Sequence, residues 1–363
     1  MKLLFINRLN SFPMDNCKYL FLESLNRGYD SVYFLNDYFY KAVISTNKSL
    51  PFFPLSKIES FLKENKCELC IIDNWLSRDI FERLPKNLPI LQLWHGIPIK
   101  DISLVHPSFR IPRLTKFFLF PSEKTKPLFK DVFLYERAVY AGYPRNLAMF
   151  KSNNDFLLGC DEEALDFIFT FREEGRKLIL FAPTFRRDGA TISISRTQMF
   201  SEGFLLRLDK MAEKFGASFV VKLHPLVSAW ENLINEFLRT LKVKNIFIYP
   251  AHADIYPLLK YFDLLVSDYS SILWDWVLLK KPFLIYFPDY ELVKHELLSY
   301  TLIDSLYRIP DKILTNESEL LLSLKKFLKE KLKFNNACLS SLGRICFKNQ
   351  ENCIEDIFKE VCF

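Results

Sequence analysis

Glycine and histidine are scarce in this 363-residue chain, with nine and five residues respectively. No G-x-G-x-x-G follows the first apolar run, which excludes the phosphate loop of dinucleotide-binding folds. No stretch approaches the ~20 apolar residues of a membrane-spanning helix. The opening Met1-Lys2-Leu3-Leu4-Phe5-Ile6-Asn7-Arg8 is too short in apolar core for a secretory signal and reads as a strand. The expected compartment is therefore the cytoplasm, where the eight cysteines remain thiols. Cys67-x-x-Cys70 has no second Cys or His pair at zinc spacing, so no metal site is expected; its place at the head of a strand argues for packing. The net charge of +6 is too mild to point to nucleic acid. It suits a protein that handles anionic substrates or rests on an anionic membrane surface.

What is abundant is apolar and aromatic. Half the residues are hydrophobic and a quarter charged, the balance of a globular chain, and 36 phenylalanines supply core material. The length suits two domains, with a boundary placed at 152/153. Strands are expected over Lys2–Ile6, Tyr29–Leu35, Glu68–Asp73, Pro89–Trp94 and Phe117–Pro121. Helices are expected over Asp15–Asn26 and Pro54–Asn65, near Arg78–Leu84, and from Ser122 as N-cap through Phe129. Such alternation predicts a parallel sheet with right-handed crossovers.

The run Pro89-Ile90-Leu91-Gln92-Leu93-Trp94-His95-Gly96-Ile97-Pro98 starts as a buried strand and breaks at a turn. It puts His95 where open α/β sheets place their ligand crevice. Alone, His95 would be read as a satisfied histidine in an exit loop. The basic stretch from Lys100 to Lys116, with Arg110 and Arg113 among Val105, Phe109 and Ile111, reads as a solvated loop or as a surface for an anionic, membrane-borne acceptor. The first half closes on Gly142-Tyr143-Pro144-Arg145-Asn146, a turn with Arg145 aimed out of it.

In the second half, Asp161 caps a helix to about Glu174, and strands are expected over Lys177–Ala182, Ser218–Leu223, Asn245–Tyr249, Asp263–Val266 and Phe283–Phe287. A helix is expected through Phe262, another begins at Asp289, and the tail from Asn316 is helical. Three strand ends carry polar chemistry. Pro183-Thr184-Phe185-Arg186-Arg187-Asp188-Gly189 offers a hydroxyl and two guanidiniums, suited to phosphate oxygens or simply to a polar loop. Lys222-Leu223-His224-Pro225 fixes an imidazole before a proline. Ser267-Asp268-Tyr269-Ser270-Ser271 precedes a helix expected to run to Leu279; its hydroxyls and free N–H groups suit an anion, unless Asp268 or Ser270 is only an N-cap.

Taken in this order, Gln92-x-Trp94-His95-Gly96-x-Pro98-x-Lys100, Gly142–Asn146, Ala182–Arg186, Lys222–Pro225 and Ser267–Ser271 with Asp275 resemble the CDP-glycerol glycerophosphotransferase family. That group contains primases and polymerases of wall teichoic acid and related capsules. The resemblance covers residues 88–290. It implies an α/β, GT-B-like architecture: two Rossmann-like domains facing a cleft, an acceptor-side domain over 1–152, and a CDP-alditol donor domain over 153–363 with a helical C-terminal tail. It implies no cofactor and no obligatory nucleotide-binding metal, and no Asp-x-Asp pair is present. It further implies peripheral attachment to the cytoplasmic face of the cell membrane and a membrane-linked acceptor, with no nucleic-acid partner.

The implied reaction moves glycerol phosphate, or a related alditol phosphate, from CDP-glycerol to an acceptor hydroxyl, releasing CMP. His95 would be the general base, and His224 would bind the pyrophosphate or assist the leaving CMP. Arg186, Ser270 and Ser271 would cradle phosphate with Thr184 as a lesser contact, while Asp268 orients the loop. Gly96 and Lys100 join the substrate-binding set, and Arg145 meets an acceptor phosphate or serves interdomain structure. Glu291 to Lys312 has no glycine, where the family continues with a glycine- and proline-rich segment, so the alditol stays open. Two other readings remain: a GT-B glycosyltransferase or epimerase using a nucleotide sugar, and a non-catalytic envelope-assembly subunit.

Overall fold

The computed structural model describes residues 1–7, 11–46, 49–104, 115–188, 191–193, 201–224, 229–310, 312–332 and 336–361. Val105, Phe109, Arg110, Ile111, Arg113, Gly189, Pro225 and the side chain of Arg187 lie outside the described residues.

The chain forms two compact units. The first comprises Met1–Gly159, Ala253–Pro257 and Arg344–Phe363; the second comprises Cys160–His252 and Leu258–Gly343. The expected division had a single boundary at 152/153 and placed the whole tail in the second domain. Of that tail, Arg344–Phe363 belongs to the first unit, where it docks, and the part before it stays in the second. Lys348 N donates to Pro121 O at 2.7 Å, Gly142 N to Lys348 O at 2.8 Å, and Ser122 Oγ to Ile345 O at 2.7 Å. Ser122 is thus no helix cap, and the helix expected after it is a turn followed by a 3-10 segment over Lys126–Phe129.

The first unit is built on seven parallel strands: β1 Lys2–Ile6, β2 Asp30–Leu35, β3 Phe52–Pro54, β4 Leu69–Ile72, β5 Ile90–Gln92, β6 Thr115–Phe120 and β7 Tyr135–Tyr140. Their order is β3-β2-β1-β4-β5-β6-β7, and every neighbouring pair is parallel. Parallel strands are covered on both faces, so they read as unbroken apolar runs, as Leu69-Cys70-Ile71-Ile72 does. The helix Asp15–Asn26 lies on this sheet with nine of its residues buried. Phe21 on that helix packs edge-on to Phe5 at 5.5 Å and against Tyr33 at 4.9 Å.

The second unit has six parallel strands: β8 Lys177–Ala182, β11 Ala217–Lys222, β12 Ile246–Tyr249, β13 Leu264–Ser267, β14 Phe283–Tyr286 and β15 Ile313–Leu314, in the order β12-β11-β8-β13-β14-β15. An antiparallel hairpin of β9 Arg186–Asp188 and β10 Thr191–Ser193 follows β8. The helix Glu202–Phe215 starts with Ser201 Oγ accepting from Phe204 N at 3.3 Å. It stops at Gly216, whose φ of 61° is the left-handed value that glycine takes without a Cβ penalty. Asp161 caps its helix as expected, accepting from Ala164 N at 2.9 Å. Past Asn316 the tail forms helices over Glu317–Leu328, Asn336–Cys346 and Cys353–Val361.

Strand order locates the functional ends of both sheets. In each, the chain winds outward from a central strand, then returns to that strand's other side. The switch falls between β1 and β4 in the first sheet and between β8 and β13 in the second. Ligands of open parallel sheets bind outside the carboxyl ends of strands at such a switch.

Candidate active site, in two half-sites

Asp73 follows β4 and His95 follows β5, so the pairing of these two strands, next to the first sheet's switch, brings them together. His95 Nδ1 lies 2.9 Å from Asp73 O. A carbonyl can only accept, so Nδ1 carries the proton and Nε2 is the basic nitrogen. The loop that presents this ring is strained. Trp94 sits at φ 56°, an outlier for a bulky side chain, and Gly96 at φ 147°, which only glycine tolerates readily. Such conformations cost about 1–3 kcal/mol and persist where surroundings over-determine them.

Those surroundings are visible. Trp94 N donates to Gln92 Oε1 at 2.9 Å, Asn16 Nδ2 donates to Trp94 O at 2.7 Å, and Arg145 Nη1 donates to His95 O at 2.7 Å. The Trp94 ring lies 4.1 Å from the imidazole and packs on Trp75 and Phe133. Asp73 Oδ2 accepts from Cys17 N at 2.8 Å, tying β4 to the helix Asp15–Asn26. Arg145, expected to point outward, is 1 % exposed and pairs with Asp15 Oδ1 at 2.7 Å. Lys100 is half-buried farther along the His95 loop.

The second half-site occupies the β8/β13 switch. Asp268 accepts from Thr184 N at 3.0 Å, Thr184 Oγ1 at 2.7 Å, Tyr269 N at 2.7 Å and Arg186 Nη1 at 2.7 Å. Arg186 also grips Asp289 in a bidentate pair, Nε to Oδ2 at 2.6 Å and Nη2 to Oδ1 at 2.8 Å. Burial opposes the Arg186 charge, but Asp268 and Asp289 outweigh it and raise its pKa above the ordinary value. The Tyr269 ring lies 4.6 Å from the guanidinium, and its hydroxyl donates to Phe185 O at 3.0 Å.

This arrangement changes what Arg186 can do. One guanidinium stands between two carboxylates at 4 % exposure, with all three nitrogens committed. Two carboxylates thus face the one guanidinium that had been expected to cradle phosphate, and Asp268, expected to orient this loop, accepts from Thr184, Tyr269 and Arg186 together. His224 packs its ring 4.5 Å from Phe185, which joins it to the same turn. Lys222 in the same motif is structural, donating to Pro250 O at 2.8 Å and Ala251 O at 2.7 Å. Ser270 and Ser271 remain partly exposed. The helix after them is short, Ile272–Val277, and Ser271 at its N-cap makes no side-chain cap bond.

Sequence reasoning brought Thr184, Arg186 and Asp268 together but missed Asp289 as the other half of the Arg186 site. It also missed Asp73, Asp15 and Asn16. Asp73 and Asp289 each lie just past the end of a strand, the signal that had singled out His95.

The family model described as CDP-glycerol:poly(glycerophosphate) glycerophosphotransferase matches residues 3–361. The chain belongs to this family. Curated relatives include the teichoic acid poly(glycerol phosphate) polymerase of Bacillus spizizenii, 26% identical over 231 residues, 59% of this chain and 55% of that one. The teichoic acid ribitol-phosphate polymerase TarK of Staphylococcus aureus is 27% identical over 295 residues, 76% of this chain and 53% of that one. The chain thus spans about half the length of these relatives. Among solved structures, the wall teichoic acid polymerase TagF superposes with a TM-score of 0.67 at 17% identity, covering 99% of this chain and 88% of that one. A TagF variant soaked with CDPG is equally similar, with a TM-score of 0.67. These TagF structures share the fold with this chain, α/β throughout.

Proposed function

We propose that this glycerophosphotransferase-family chain transfers an alditol phosphate from a CDP-alditol, CDP-glycerol or its ribitol counterpart, to a hydroxyl of a membrane-linked glycan or polyol phosphate. The carrying observation is the Nδ1 contact of His95 to Asp73 O, which leaves Nε2 as a base at the carboxyl ends of the strands, beside the sheet's switch point. The acceptor hydroxyl gives its proton to Nε2 while its oxygen bonds to the β-phosphorus in line. The bond from that phosphorus to the bridging oxygen breaks, and CMP leaves. Phosphoryl transfer of this kind depends on positioning and charge neutralisation.

His224, Ser270, Ser271 and Thr184 bind the donor phosphates, with His224 assisting the departing CMP; Lys100 and Gly96 serve the acceptor side. Arg186 and Asp268 act by shaping the donor turn. The product is a teichoic acid or capsule polymer, made at the cytoplasmic face of the membrane by a peripheral enzyme. No described helix is long and apolar enough to cross a membrane. The test is CMP release from CDP-glycerol and CDP-ribitol with a lipid-linked acceptor. Wild type should turn over and His95→Ala should lose about 10²–10⁴ in rate. Equal rates reject the base assignment, and no CMP from either donor with the wild type rejects the activity.

A further inference from the structure

Arg145 is buried with more ionic company than a core position needs. Its Nη1 donates both to His95 O at 2.7 Å and to Asp15 Oδ1 at 2.7 Å. The rings of Tyr143 and Tyr256 flank the guanidinium at 5.1 Å and 4.5 Å. Tyr256 belongs to Ala253–Pro257, a segment that follows β12 in sequence but forms part of the first unit.

That segment is anchored beside the same helix. Asp254 Oδ2 accepts from Lys18 Nζ at 2.7 Å and from Tyr19 OH at 2.7 Å, while its Oδ1 accepts from Tyr256 N at 2.9 Å. Lys18 also donates to Phe156 O at 2.7 Å and Leu158 O at 2.6 Å, and its side chain is fully buried. Asp15 and Asn16 therefore reach the Trp94–His95 loop from the same helix that holds the 253–257 segment. Asp15, the partner of Arg145, sits at φ 62°, and Trp94, whose carbonyl Asn16 holds, at φ 56°, so strained residues stand in both the helix start and the loop.

Buried ion pairs are weak contributors to stability, since hydrocarbon of the same volume often does as well. Hydrocarbon could not donate to a carbonyl in a kinked loop. We infer that Arg145, held between Asp15 and Tyr256, is a positioning residue for the base. By fixing the His95 carbonyl it keeps Nδ1 on Asp73 O and Nε2 turned to the acceptor. The inference rests on the reading of His95 as base. It also means that five residues from the second half of the sequence, Ala253–Pro257, complete the acceptor half-site.

The experiment compares wild type, Arg145→Lys, Tyr256→Leu and His95→Ala in the full chain. Ring-¹⁵N NMR without substrate reads the His95 tautomer, and CMP release reads kcat and the KM for CDP-glycerol. Arg145→Lys should show mixed tautomers and lose about 10–100-fold in kcat, with donor KM near wild type. A folded Arg145→Lys protein with wild-type tautomer and kcat overturns the inference. Should that variant not melt cooperatively, Tyr256→Leu keeps both ion-pair partners and should lose about 2–30-fold in kcat with the same tautomer change. Wild-type values there overturn the inference. Wild-type turnover in His95→Ala overturns the base reading, and the catalytic purpose of Arg145 with it. The tautomer still reports separately whether Arg145 fixes the ring.

Discussion

The two half-sites solve one structural problem with opposite charge logic. Both sit at the carboxyl ends of a parallel sheet at or beside its switch point, and each buries an arginine that the sequence had offered as a phosphate ligand. In the first, Arg145 pairs with the Asp15 carboxylate and from the same nitrogen donates to a backbone carbonyl beside the imidazole. In the second, Arg186 is outnumbered by Asp268 and Asp289, and the groups left at the surface are hydroxyls and His224. A strand-end arginine is therefore no guide to anion binding until its carboxylates are counted. What it organises is the informative question: the Trp94–His95 loop in one case, the Thr184–Asp268 turn in the other.

The comparison can be broken most forcefully at Arg186. Replacement by Ala leaves two buried carboxylates without their cation and should cost about 3–5 kcal/mol in stability, read by denaturant unfolding. A loss of donor affinity with stability intact would instead make Arg186 a phosphate ligand after all. Next in size, Asp289→Asn removes one arm of the bidentate pair while keeping its shape. Since hydrogen bonds to charged groups contribute about 1.5–3 kcal/mol each, stability should fall within that range, with kcat among surviving molecules near wild type. The smallest effects belong to the outward hydroxyls. Ser270→Ala and Ser271→Ala should each raise the donor KM by about 2–13-fold, the net weight of one hydroxyl hydrogen bond at a partly exposed site where water can take its place, with unchanged melting temperature. Unchanged KM in both would leave the donor half-site without its serines.

The fold was legible because buried parallel strands announce themselves as apolar runs between helical segments. The strands that escaped lie at sheet edges. β7 carries the exposed Glu136 and Arg137 and so shows no apolar run, while β3 is only Phe52-Phe53-Pro54, too short and proline-ended to read as a strand. The return of residues 253–257 and 344–363 to the first unit was not legible, since local periodicity says nothing about which sheet a segment covers. The same distinction runs through the site. His95, Thr184 and Asp268 were visible as polar residues at strand ends. Asp289 meets Arg186 across 103 positions, and the partner of His95 is a backbone carbonyl, which leaves no trace in residue type.

The most direct test of the account is steady-state CMP release by wild type and His95→Ala, both verified as folded, across a range of CDP-glycerol concentrations. The account predicts that His95→Ala keeps the donor KM near wild type and loses about 10²–10⁴ in kcat, because the acceptor half-site supplies the base and the donor half-site binds phosphate. A raised donor KM with kcat preserved would contradict it, placing His95 among the phosphate ligands.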